Sequence, residues 1–80
     1  MPSVYVGNLP KDFYDLDLFK FFKKHGYPVY RAIVHVKEDK FTKRTNRFGF
    51  LQFTSQEEAA QCYAEMNNTE INGTVVRLSL

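Results

Sequence analysis

The stretch Asn46-Arg47-Phe48-Gly49-Phe50-Leu51-Gln52-Phe53 alternates with the period of a β-strand. Successive side chains of a strand point to opposite faces of its sheet. Phe48, Phe50 and Gln52 therefore share one face, and Gly49, Leu51 and Phe53 share the other. The second row suits a core. The first row sets two phenylalanines on the opposite side of the same sheet. They require either a second apolar layer over that face or something flat that binds there.

The remaining segments decide how many layers are available. Ser3-Val4-Tyr5-Val6-Gly7 reads as a short strand closed by Gly7-Asn8 and Pro10, with Val4 and Val6 on one face and Tyr5 on the other. Leu9 and Phe13 are expected to fold back as apolar plugs. A helix is predicted from Asp15 to Lys24, where Leu18, Phe21, Phe22 and His25 follow the spacing of a buried stripe. Asp15 and Asp17 fall in its first turn and Lys20, Lys23 and Lys24 toward its end, as the helix dipole favours; Gly26 and Pro28 end it. Tyr30 to Lys37 is the second predicted strand. Ala32, Val34 and Val36 lie on its inner face, and Arg31, Ile33, His35 and Lys37 on its outer face.

After the opening strand, Ser55 and Glu58 form a capping-box pattern before a second helix whose stripe is Ala59, Cys62, Tyr63 and Met66. Asn67-Asn68 ends that helix. Asn72-Gly73 is a turn signal before a last strand, Val75 to Ser79, with Val76 and Leu78 inward and Arg77 and Ser79 outward. The order is β-α-β-β-α-β. Two helices cannot wrap both faces of a four-stranded sheet in 80 residues. The expected fold is therefore α+β and ferredoxin-like, a four-stranded antiparallel sheet with both helices packed on one face. Right-handed crossovers bring the first and third strands together at its centre. Tyr5, Phe48 and Phe50 then cluster on a face without a helix.

Composition limits the alternatives. The chain makes one domain, residues 1–80, and its single cysteine, Cys62, excludes an internal disulfide or a multi-cysteine metal site. Stability must come from packing, for which 44% hydrophobic residues suffice. No apolar run is long enough to cross a membrane as a helix, and no secretory leader is legible, so an intracellular protein of nucleus or cytoplasm is expected. The net charge is only +2, but Lys37, Lys40, Lys43, Arg44 and Arg47 fall within eleven residues, in and beside the loop between the second and third strands, opposed only by Glu38 and Asp39. From Phe48 through Val76 there is no Lys or Arg. An uncovered aromatic platform beside a basic loop suits unpaired nucleobases, each of which offers a π-face, and their phosphates.

Two motifs carry a resemblance. Val4-Tyr5-Val6-Gly7-Asn8-Leu9 matches the six-residue ribonucleoprotein motif, and the opening stretch follows the eight-residue motif from its third position onward. The chain thus resembles an RNA-recognition motif over essentially its whole length. That resemblance implies single-stranded RNA as ligand, with Tyr5 and Phe50 stacking on bases and Phe48 packing against sugars. Further RNA contacts are expected from Gln52, His35, Lys37, Arg44, Arg47, Arg77 and Ser79, all on the open face or in the basic loop except Arg47. Two departures from the pattern matter. Asn46 stands where the family usually has Lys or Arg, and Arg47 replaces a glycine on the helix-facing row. Arg47 must either snorkel to water at the strand end or, with Arg44, replace the missing cation.

Single-stranded DNA is an alternative ligand, since stacking is indifferent to the sugar. An enzyme is disfavoured. The Asn8-Leu9-Pro10-Lys11 connection lacks the glycine-rich anion loop and arginine of small phosphatases that share this strand order. No catalytic, cofactor-binding or metal-ligating residues are expected. The principal rival is a protein-binding variant of the same fold. Leu16 and Phe19 sit off the buried stripe of the first helix, where they either pack against the core edge or the Tyr27-Pro28 loop, or form an apolar patch for a protein partner. A single module binds modestly, so a monomeric unit within a longer, multi-domain protein is expected.

Overall fold

The computed structural model describes residues 1–80. Strand β1 (Ser3–Gly7) buries Val4 and Val6 completely. It ends at Asn8, whose backbone is left-handed (φ 63°) and whose side-chain amide donates to the Val75 carbonyl at 2.8 Å. Helix α1 (Asp15–Lys24) starts where the Asp17 carboxylate accepts the Tyr14 N–H at 2.8 Å. At its other end Gly26 (φ 92°) allows a Schellman turn, in which the Gly26 N–H donates to Lys23 O and the Tyr27 N–H to Phe22 O. The Tyr27 hydroxyl then donates to Glu65 on the second helix. Burial, reinforced by that carboxylate, pushes the phenol up to about 12, so it remains a donor.

Strands β2 (Arg31–Glu38) and β3 (Thr45–Gln52) pair antiparallel from Arg31↔Gln52 to Glu38↔Thr45. Helix α2 (Gln56–Met66) is capped by Ser55, whose hydroxyl accepts the Glu58 N–H at 3.2 Å. Only this half of the expected capping box forms, because the Glu58 carboxylate accepts the Thr54 hydroxyl instead. The predicted last strand is also divided. β4 (Glu70–Ile71) and β5 (Thr74–Val75) make a small hairpin closed by Asn72 and Gly73, both at positive φ as a type I′ turn requires. β6 is then Arg77–Ser79. Val76 breaks the strand by bonding Thr69 O and Asn68 N–H, which leaves Val75 in the hairpin.

The main sheet has the order β2-β3-β1-β6, and both helices pack on one side of it. Leu18 and Phe22 of α1, with Ala59, Cys62 and Met66 of α2, close over Val4, Val6, Leu51, Phe53, Val76 and Leu78. Leu9 and Phe13 plug the end of the core, as their positions suggested. Two expected core residues lie outside it. His25 is the C-cap of α1 and is exposed, its ring against Phe21 and its Nδ1 within 2.8 Å of the Phe21 carbonyl oxygen. Val36 is 52% exposed, because β2 outruns the helix. The first turn of α1 already stands at Val34, whose N–H donates to the Asp15 carboxylate at 2.6 Å.

Gly49 sets how closely α1 approaches the sheet. A Cβ at this position would lie 2.7 Å from the Ile33 carbonyl oxygen and 2.8 Å from a methyl of Leu18. Gly49→Ala must displace either backbone or helix, and overpacking of this kind costs about 1–3 kcal/mol. Urea unfolding is expected to show a loss of that size. An unchanged midpoint would mean that Leu18 does not rest on the strand.

Candidate nucleic-acid interface

The register that buries one row of β3 places the other row beside β1. Tyr5 pairs with Phe50 across β1 and β3, and His35 pairs with Phe48 across β2 and β3. Ring centroids lie 5.6 Å apart for Tyr5–Phe50, 5.9 Å for Tyr5–Phe48 and 6.2 Å for Phe48–Phe50. These are contact distances for aromatic pairs, mostly edge-to-face. The His35 ring joins the cluster at 5.4 Å from Phe48 and 5.9 Å from Phe50. Tyr5 remains 39% exposed, and Phe48 and Phe50 are half-buried against the neighbouring rings. The outer half of the Tyr5 ring lies over Gly7, where a Cβ would come within 2.9 Å of it. Glycine there lets the phenol lie down along the strand.

Polar groups border this patch on several sides. Ser79 lies across from Tyr5 and Arg77 across from Gly7, on β6. Gln52 lies across from Ser3 and Arg31. Lys37 and Asn46 face each other further along the β2–β3 ladder. Together with Asn8, Leu9, Thr45, Arg47, Tyr5 and Phe48 they line a depression of about 400 Å³ at the end of the platform. Asn8 had only the signature of a turn residue in the sequence. Its bond to Val75, 67 residues away, is what brings it to this rim. Arg44 lies in the exposed loop, with its N–H donating to the Thr42 hydroxyl.

Arg47 also lines this depression, but its guanidinium is held on the other side of the strand. Its guanidinium donates to the Phe13 carbonyl at 3.1 Å and sits 5.0 Å from the centre of the Tyr14 ring, on the helix side of the sheet. The half-buried side chain therefore ties β3 to the residues that lead into α1. The other departure, Asn46, is exposed on the platform side. On α1, Phe19 packs against the core edge, as the simpler reading of its position had it, whereas Leu16 is 59% exposed. Leu16, Phe19 and Tyr30 line a shallow groove of about 290 Å³. No three His, Cys, Asp or Glu side chains converge as metal ligands would. Cys62 is fully buried, and desolvation, with the Glu65 charge, pushes its thiol up to about 12, far from nucleophilic.

Comparison with known proteins agrees with this geometry. The profile of the RNA recognition motif family matches residues 4–77. Zinc finger CCHC-type and RNA-binding motif-containing protein 1 of Bos taurus is 33% identical over 78 residues, which cover 98% of this chain and 35% of that protein. The chain thus spans about a third of the length of that curated relative. Among solved structures, the second RRM domain of the yeast poly(U)-binding protein Pub1 superposes with a TM-score of 0.74 at 30% identity, covering 99% of this chain and 92% of that one. The RRM of Rna15, solved with bound RNA (GU), has the same fold, with a TM-score of 0.70 at 21% identity over 96% of this chain and 79% of that one.

Arg47→Ala removes a charged hydrogen bond and a ring contact from the back of the sheet. The expected result is a loss of about 1–2 kcal/mol in unfolding free energy with little change in nucleic-acid affinity. A fall in affinity at unchanged stability would return Arg47 to the binding face.

Proposed function

The chain belongs to the RNA recognition motif family, and on that premise we propose that it binds single-stranded RNA on the open face of its sheet. The observation that carries this reading is the cluster of Tyr5, Phe48 and Phe50 on a surface that neither helix covers. Tyr5 and Phe50 stack on bases and Phe48 packs against a ribose, so that two to three nucleotides occupy the centre of the sheet, as is usual for the module. His35 extends the apolar floor. Gln52, Arg77 and Ser79 offer hydrogen bonds to base edges, and Lys37 and Arg44 face the phosphate backbone. Single-stranded DNA fits the same platform wherever no 2′-hydroxyl is read. The proposed activity is binding without catalysis.

The relatives' greater length supports a further part of the proposal, that the chain is one module of a longer protein. Linked modules raise affinity through effective concentration. A second reading is supported by Leu16, which stands exposed beside Phe19 and Tyr30 in an apolar groove remote from the platform rings. In that reading the groove receives a protein partner while the sheet holds RNA.

Phe50→Ala is expected to weaken RNA binding by about 1–3 kcal/mol while leaving most of the stability intact. Fluorescence anisotropy with a labelled RNA, alongside urea unfolding, checks both quantities. Lost stability with unchanged affinity would reject the platform. Leu16→Glu is expected to change neither quantity and to remove only a partner's co-purification. Weakened RNA binding by that variant would place the groove on the RNA path and reject the second reading.

A further inference from the structure

The loop joining β2 to β3 carries a side chain that neither the core nor the platform uses. Phe41 is 98% exposed, so its ring touches almost nothing. Leaving such a side chain in water forgoes the stabilisation that its burial would bring. The backbone beneath it is nevertheless well tied. The Asp39 carboxylate accepts the N–H groups of Phe41 at 2.8 Å and Thr42 at 3.1 Å. The Lys43 N–H donates to the Asp39 carbonyl, and the Asp39 N–H to the Arg44 carbonyl, each at 2.8 Å. The N–H groups of Thr42 and Phe41 hold the Asp39 carboxyl below the usual carboxylate range. Phe41 is thus presented on a closed turn.

The surroundings of the ring indicate what would cover it. Lys40, Lys43 and Arg44 flank it in sequence, and the nearest acid, Asp39, is occupied by the loop's own backbone. The β2–β3 ladder continues three pairs past His35↔Phe48, to Glu38↔Thr45, while β1 stops at Gly7. At about 3.4 Å per residue the ribbon projects on the order of 10 Å beyond the platform rings. A ligand for this tip must bring a flat apolar surface and negative charge together. A nucleotide brings both. An anionic bilayer also attracts cations, but one ring and a few lysines give only marginal attachment to it.

We propose that Phe41 stacks on an additional base of the bound strand, outside the nucleotides on the sheet, while Lys40, Lys43 and Arg44 neutralise the flanking phosphates. The proposal rests on the platform reading and lengthens the site along the strand. It is tested with random-sequence RNAs of about four and about ten nucleotides, the shorter filling the sheet alone and the longer reaching the loop. Phe41→Ala should weaken the longer RNA about fivefold or more and leave the shorter RNA unaffected. Its unfolding midpoint should match the parent, since the ring packs against nothing. Phe41→Trp should retain affinity, and because the chain has no tryptophan, its fluorescence should be quenched by the longer RNA only. Phe50→Ala serves as the control and should weaken both lengths; if it weakens neither, the platform reading fails independently of Phe41. Equal affinity of the parent and Phe41→Ala for the longer RNA would overturn the proposal. So would Phe41-dependent sedimentation with phosphatidylserine vesicles without any effect on RNA.

Discussion

Leu18 rests on the middle of the sheet because position 49 carries no side chain, and the arrangement of both faces follows from that contact. With α1 seated so closely over β3, Phe22 reaches the core from the same helix face, and α2 completes the layer with Ala59, Cys62 and Met66. The helices are then both spent on one side. Strand geometry sends Phe48 and Phe50 to the other side, and antiparallel pairing with β1 sets Tyr5 directly beside Phe50. One strand therefore supplies part of the core with its odd-numbered residues and part of the platform with its even-numbered ones. With the proposed RNA binding on the outward row, stability and recognition fall to opposite rows of the same backbone, and substitutions in the two rows should have separable effects.

The charge distribution makes a similar division. Of the cations crowded around the β2–β3 hairpin, Arg47 is drawn to the helix side by the Phe13 carbonyl and the Tyr14 ring. Its neighbour Asn46 occupies the platform side as an uncharged amide. At this end of the platform Lys37 stands opposite Asn46, while Lys40, Lys43 and Arg44 lie further out, in the loop that bears Phe41.

Much of this was legible in the sequence because it rests on periodicity. The alternation in β1 and β3, the helix stripe through Leu18 and Phe22, and the glycine and asparagine stops depend on local chemistry, and local chemistry is what a sequence displays. The parts that were not legible depend on where elements end in space. Val36 continues the β2 alternation faultlessly, yet α1 does not extend far enough to cover it. His25 keeps the helical spacing but falls at the C-cap, where the chain turns away. The β4–β5 hairpin was hidden because its strands are two residues each, too short to show a period, so that only the Asn72-Gly73 signal stood out. Arg47 lay on the inward row as alternation requires, but its acceptor comes from Phe13, 34 residues away. Phe41 belongs to no period at all, and only its exposure in the folded chain distinguishes it.

The proposed function requires that the uncovered aromatic row, and not the helical side, receives the nucleic acid. Intermolecular nuclear Overhauser effects on the isotope-labelled chain with a short single-stranded RNA test it most directly. Contacts from the ring protons of Tyr5, Phe48 and Phe50 to base and ribose protons, with the amides of α1 and α2 unmoved, are the predicted result. Contacts confined to the helices, or to the groove beside Leu16, with the three rings unaffected, would contradict it.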